Sequence, residues 1–255
     1  MKNAIVTFAI GKQYEEMYNV FFRPSVEVYC KKYDIDLIVL TDPIRPFEEK
    51  QALCCQKLLI CSQEWAQKYD AICWLESDIL ISPNALNIFD EVTDDKILFV
   101  NHNLYNDPYY GWSTVHRKGI EKRDFKQFMH DVETFERKKF AESLGLSGES
   151  EYINEGVTVF QPKYHAKYLK DMYDSHDFNK YKPSQDGRDG TFNALREVWW
   201  WSKIQLDDKC RFIDDKYNRQ WNYYRRLHLE PYDDPQSLLI PIKNYIENSY
   251  FCHIG

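Results

Sequence analysis

Two carboxylates, Glu76 and Asp78, flank Ser77 where a short apolar run, Ala71-Ile72-Cys73-Trp74-Leu75, comes to an end. The run is rich in strand formers, and its length and polar bounds predict a buried strand of a parallel sheet. The carboxyl end of such a strand is where open α/β sheets bind their ligands. Paired carboxylate oxygens suit a hard divalent cation, Mg²⁺ or Mn²⁺, and such a cation suits a diphosphate. The competing assignment is turn chemistry, since Asp and Ser after a strand often bond nearby backbone amides. Ile79-Leu80-Ile81 follows, and then Ser82-Pro83-Asn84, which predicts a turn into a helix.

Four other places carry groups able to do chemistry. His253 ends the apolar stretch Tyr250-Phe251-Cys252, where a strand would deliver it to a sheet edge. Histidine ligates Mn²⁺-like ions, and a buried structural histidine is the alternative. Gly255 allows the backbone close approach to a phosphate. Asp186 and Asp189 lie in a loop with Gly187 and Gly190 that opens a helix at Ala194-Leu195-Arg196, so they are either caps or catalytic carboxylates. Lys57 lies in residues 51–68, whose composition predicts a helix with Leu53, Leu58, Cys61 and Trp65 inward. It faces either a ligand or, as lone helical lysines commonly do, solvent. Tyr109 and Trp112, in a loop, suit stacking on sugar rings or ordinary packing.

The elements that must position these groups follow from hydrophobic period. Residues 4–10 read as a strand ending at Gly11, and residues 14–32 as a helix with Tyr18, Phe21, Phe22, Val26 and Tyr29 on one stripe. Residues 36–42 make a second strand stopped by Pro43. Strand, helix and strand form a crossover unit with a nucleotide-sized crevice at its carboxyl edge. The fingerprint G-x-G-x-x-G does not occur, which argues against NAD or FAD. Residues 96–101 and 152–162 read as further strands, the second containing Gly156 and leading into helix-like sequence up to Tyr173. Between them, residues 102–150 form a helical and loop insertion, with Phe125, Phe128, Met129, Val132, Phe135 and Phe140 on an approximate helical stripe.

Composition bounds the rest. At 255 residues and 44% hydrophobic, the chain can bury one sizeable core, so residues 1–255 are expected to form a single domain. A net charge of −7 argues against nucleic acid as a partner. No apolar run approaches the roughly 18 residues of a membrane span, and the first apolar stretch is short for a secretory signal. A cytoplasmic protein without a transmembrane segment is the expectation. Seven cysteines, none in a C-x-x-C pair, read as reduced core residues rather than a zinc site.

Taken in order, these stretches resemble the GT-A type of nucleotide-sugar glycosyltransferase, most of all the group with glycogenin and the bacterial lipooligosaccharide galactosyltransferases. Val6-Thr7-Phe8-Ala9-Ile10 and Tyr14 match the strand and turn that hold the uracil base, and Gln56-Lys57-Leu58 matches the basic helix before the metal strand. Glu76-Ser77-Asp78 matches the Asp-x-Asp, Asn154-Glu155-Gly156-Val157 the Asn-Ser-Gly-Val strand, Tyr217-Asn218 a later Tyr-Asn, and Cys252-His253-Ile254-Gly255 the His-x-x-Gly close shortened by one residue. The loop around Asp186 and Asp189 resembles the family's Asp-Gln loop.

The resemblance implies an α/β, Rossmann-like GT-A fold with a mixed, mainly parallel sheet flanked by helices. It implies Mn²⁺ or Mg²⁺ held by Glu76, Asp78 and His253, and a donor nucleotide contacted by Thr7, Phe8, Ala9, Tyr14, Lys57, Ser77 and Gly255. Asn154, Asp186 and Asp189 would orient the sugar, with Asp189 supporting the cationic ring face. The donor would be a UDP-hexose, the acceptor a hydroxyl of a glycan, a lipid-linked sugar or a protein reached through residues 102–150, and the outcome retention. Glu76 departs from the usual Asp. The family's diphosphate lysine after the histidine–glycine motif has no counterpart here; either the sequence is shortened or Lys57, Arg188 or Arg219 replaces it. A sugar nucleotidyltransferase and a catalytically silent carbohydrate-binding protein of the same fold are the alternatives.

Overall fold

Strand β1 (Asn3–Phe8) pairs in parallel on both sides, with β2 (Asp36–Leu40) and with β3 (Ala71–Leu75). A strand with two neighbours and two covered faces has no polar side, so Ala4, Ile5 and Val6 are all fully buried and the sequence shows a continuous apolar run. The computed structural model describes residues 1–47, 53–101, 153–178, 198–221 and 239–254. The insertion at 102–150 and the loop with Asp186 and Asp189 lie outside these residues, as does Gly255.

The connection from β1 to β2 starts at Gly11, whose φ of 97° favours glycine. It continues as α1 (Lys12–Met17), a π-helical turn (Tyr18–Phe22) and α2 (Arg23–Tyr33). The wider turn rotates the inner stripe: Tyr18, Phe22, Val26 and Tyr29 are buried, but Phe21, expected among them, is 65% exposed.

The helix expected over residues 51–68 is also different. Two 3₁₀ segments, Cys55–Ser62 and Glu64–Lys68, are separated by an extended Gln63. Every residue from Cys55 to Cys61 is buried, Gln56 and Lys57 included, because this largely apolar segment packs beneath α3 (Pro162–Ser175). Buried Gln56 is satisfied by exchanging hydrogen bonds with Arg45 N and O, at 3.0 and 2.7 Å. After Ser82-Pro83-Asn84 the expected helix is only a 3₁₀ turn, Ile88–Glu91, capped by Asn87.

Completing the main sheet are β5 (Ile97–Asn101), β6 (Ile153–Phe160) and β7 (Cys210–Ile213), in the order β2-β1-β3-β6-β5-β7. Only β6 runs against its neighbours, so the sheet is mixed and mainly parallel. Alternation sorts the side chains into two cores. Ala4, Val6, Ile72 and Trp74 join Leu58, Phe160 and α4 (Val198–Leu206) on one face. Ile5, Cys73 and Leu75 join Val26 and Tyr29 on the other. A second sheet orders β4 (Ile79–Ile81), β9 (Phe251–His253) and β8 (Arg219–Gln220) as β4-β9-β8, with α5 (Leu239–Asn248) leading into β9. Among the described residues no helix is long and apolar enough to cross a membrane.

Candidate metal and active site

Strand β3 stops at Leu75, and Glu76 N donates to Gly156 O at 2.9 Å, tying the acidic turn to β6. Beyond the turn, β4 pairs antiparallel with β9, setting Ile79 opposite His253, and Ile254 N donates to Asp78 O at 3.0 Å. The small sheet therefore carries the histidine back to the carboxylates. His253 Nε2 lies 3.3 Å from Glu76 Oε2 and 3.4 Å from Asp78 Oδ1. One ligand atom from each of the three falls within 4.8 Å of the others.

Two observations test whether this trio fits a cation. Asp78 Oδ1 is buried and accepts no hydrogen bond, which costs energy unless something else satisfies it. The second is the tautomer of His253. Asn218 Nδ2 donates to Asn154 O and Oδ1, at 3.1 and 2.7 Å, so Asn218 Oδ1 is the atom that faces His253 Nδ1 at 3.0 Å. Nδ1 then carries a hydrogen, and Nε2 is the nitrogen turned to the acids. Metal-binding histidines are oriented in this way by a partner on the other nitrogen. The residues fit a hard divalent cation with mixed oxygen and nitrogen ligands.

The charged groups of the site also hold one another. Burial disfavours the His253 imidazolium, yet the facing Asp78 and Glu76 carboxylates outweigh it and raise the pKa. Burial likewise acts to raise the Glu76 carboxyl, but His253 and Lys57 prevail and hold it below the usual range. A proton on Nε2 and a cation would therefore compete for the same place.

Lys57 is not a surface lysine. Its side chain is 2% exposed, with Nζ 3.7 Å from Glu76 Oε1 and 3.8 Å from Glu155 Oε1. Among the described residues Asn218 borders the trio directly and Glu155 through Lys57, and sequence reasoning gave neither a role. A carboxylate inside an apolar strand was the available signal for Glu155, because such a group needs a counter-charge.

The remaining candidates divide. Ser77 lies within the acidic turn, partly exposed. Asn154 stands beside His253 through Asn218, its Oδ1 also accepting from Gly156 N at 2.9 Å. Thr7 and Ala9 are fully buried at the carboxyl end of β1, and Ala9 N is bonded to Leu40 O. Phe8 packs edge-on against Trp74, whereas Tyr14, on α1, is 60% exposed. No contact joins Tyr14 to the acids among the described residues.

No family model matches the chain, and no curated protein does. A solved glycosyltransferase involved in the glycosylation of the major capsid of PBCV-1 aligns over 100% of this chain and 93% of its own, at 14% identity and a TM-score of 0.58. The galactosyltransferase LgtC in complex with donor and acceptor sugar analogs covers 98% of this chain and 86% of its own, at 12% identity and a TM-score of 0.47. With the strand order above, the first of these likenesses identifies the architecture as the α/β fold of GT-A glycosyltransferases.

Proposed function

We propose that the protein is a glycosyltransferase that moves a hexose from a nucleotide-diphosphate sugar, a UDP-hexose, to an acceptor hydroxyl with retention. The observation that supports this most is the meeting of Glu76, Asp78 and His253 at the carboxyl edge of β3, on a fold of this class. Mn²⁺ or Mg²⁺ held by these three would, when bound, neutralise charge on the leaving diphosphate. Tyr14, being exposed, is available to stack on the base. Lys57 adds fixed positive charge beside Glu76. Asn154 borders the trio, and with Asp186 and Asp189 it is assigned to orienting the sugar, the last two on resemblance alone. Residues 102–150 are assigned to the acceptor, a glycan, a lipid-linked sugar or a protein.

Thermal shift with a panel of nucleotide sugars, in Mn²⁺ and in chelator, tests the reading. A UDP-sugar should raise the melting temperature only with the cation, because the acids and the diphosphate otherwise repel. No response to any nucleotide sugar, or an equal response in chelator, would sink it. The anomeric proton of the first product, followed by NMR, separates retention from inversion.

A further inference from the structure

The ammonium of Lys57 lies over the rings of Trp74 and Trp200, 5.5 and 5.9 Å from their centroids. A cation withdrawn this far from water needs opposite charge close by. Two carboxylates flank it at nearly equal distance, Glu76 Oε1 at 3.7 Å and Glu155 Oε1 at 3.8 Å. Glu76 turns its other oxygen, Oε2, toward His253 at 3.3 Å. It is therefore shared between the ammonium and the cation slot, while Glu155 stands outside the trio able to hold a metal. Where β6 leaves register with β5 between Phe99 and Val100, Glu155, Gly156 and Val157 have no partner on β5. Such irregularities re-aim side chains beside sites.

We propose that Glu155 is a positioning residue that acts through Lys57 to set how much of the Glu76 carboxylate is left for a cation. With Glu155 ionised, Glu76 is one of the acids among which the ammonium divides its attraction. Without it, more of that attraction falls on Glu76, and an incoming cation must draw Glu76 away against a stronger hold. The inference rests on the reading of Glu76, Asp78 and His253 as a cation site.

Calorimetry with Mn²⁺ alone, on the full chain, tests it. Glu155→Gln should weaken Mn²⁺ binding about tenfold or more, the usual size for an outer partner of a metal ligand. In a Lys57→Met background the same change should do clearly less. Equal losses in the two backgrounds, within the factor of about two expected of independent sites, mean that Glu155 acts by its own charge, and the proposal falls. Should Lys57→Met not fold, Glu155→Asp decides, since it keeps the charge but withdraws it from Lys57 by one methylene. A loss near that of Glu155→Gln supports the relay, and parental affinity overturns it. If the parent itself binds no Mn²⁺, it is the reading of the site that fails, a result distinct from either.

Discussion

His253 Nδ1 donates to Asn218 Oδ1 across 3.0 Å, and this bond decides which nitrogen of the ring faces Glu76 and Asp78. Asn218 is itself 1% exposed and spends its amide hydrogens on Asn154. Asn218→Leu keeps the branched shape and removes the acceptor together with the amide donors to Asn154, freeing the ring to take the other tautomer or rotate. Mn²⁺ affinity should fall by about 10- to 100-fold. An unchanged dissociation constant in calorimetry would show that packing alone aims the ring.

Glu76→Gln and Asp78→Asn should each remove most sugar transfer and Mn²⁺ binding while leaving the fold intact. Both side chains are about a third exposed, at 32% and 31%, so neither change empties a core. Asp78 should be the more sensitive, because Glu76 is also held by Lys57 whereas Asp78 Oδ1, which accepts no hydrogen bond, faces the ring at 3.4 Å. Circular dichroism with steady-state rates reads both; parental turnover in the two variants would remove the acids from the chemistry.

Much of the frame was legible, because β1, β3 and β6 are buried on both faces and their runs of Val, Ile and Phe leave few other readings. The acids announced themselves by standing where such a run stops. The burial of Lys57 was illegible for a physical reason: one lysine among apolar residues looks like the outer face of a helix, and the carboxylates that face it, Glu76 just after β3 and Glu155 on β6, lie far off in sequence. The choice between α and 3₁₀ winding at Cys55–Ser62 depends on what packs over it, and the reversed direction of β6 leaves no mark on hydrophobic period. Asn218 acts only through tertiary hydrogen bonds, so nothing near it in sequence names its partner.

Gly156 is where the ring and β6 touch. A Cβ there would lie 2.7 Å from His253 Cε1, 2.8 Å from Nδ1 and 2.9 Å from Asn154 Oδ1, all parts of buried or hydrogen-bonded groups. Gly156→Ala must therefore move the ring off its bond to Asn218. Overpacking of this kind costs about 1–3 kcal/mol, a melting temperature lower by several degrees for a chain this size. Mn²⁺ binding should weaken with it. A variant that melts early yet binds Mn²⁺ like the parent would show that the ring is packing and not a ligand.

The last prediction concerns stability and pH, at the start of α3. Gln161 N donates to His165 Nδ1 at 2.9 Å, so the neutral ring carries its hydrogen on Nε2, which lies 2.8 Å from Asp95 O and donates to it. A second proton would turn an N–H toward the Gln161 N–H and break the first bond. Burial accordingly lowers the His165 pKa, against the opposing Asp95 carbonyl and carboxylate, and Lys209 lowers it further. With the folded pKa below the unfolded value of about 6.5, both states are neutral above that pH and the stabilisation is intact. As pH falls below it, the unfolded chain binds a proton that the folded chain refuses, and stability is lost down to the folded pKa, by at most about 1.4 kcal/mol per pH unit. His165→Asn offers an oxygen to Gln161 N and does not titrate. Urea unfolding from pH 7.5 to 5.0 should find the variant less stable than the parent at the upper end, with the gap narrowing as pH falls. A constant gap would mean that His165 takes up its proton equally in the folded and unfolded chain.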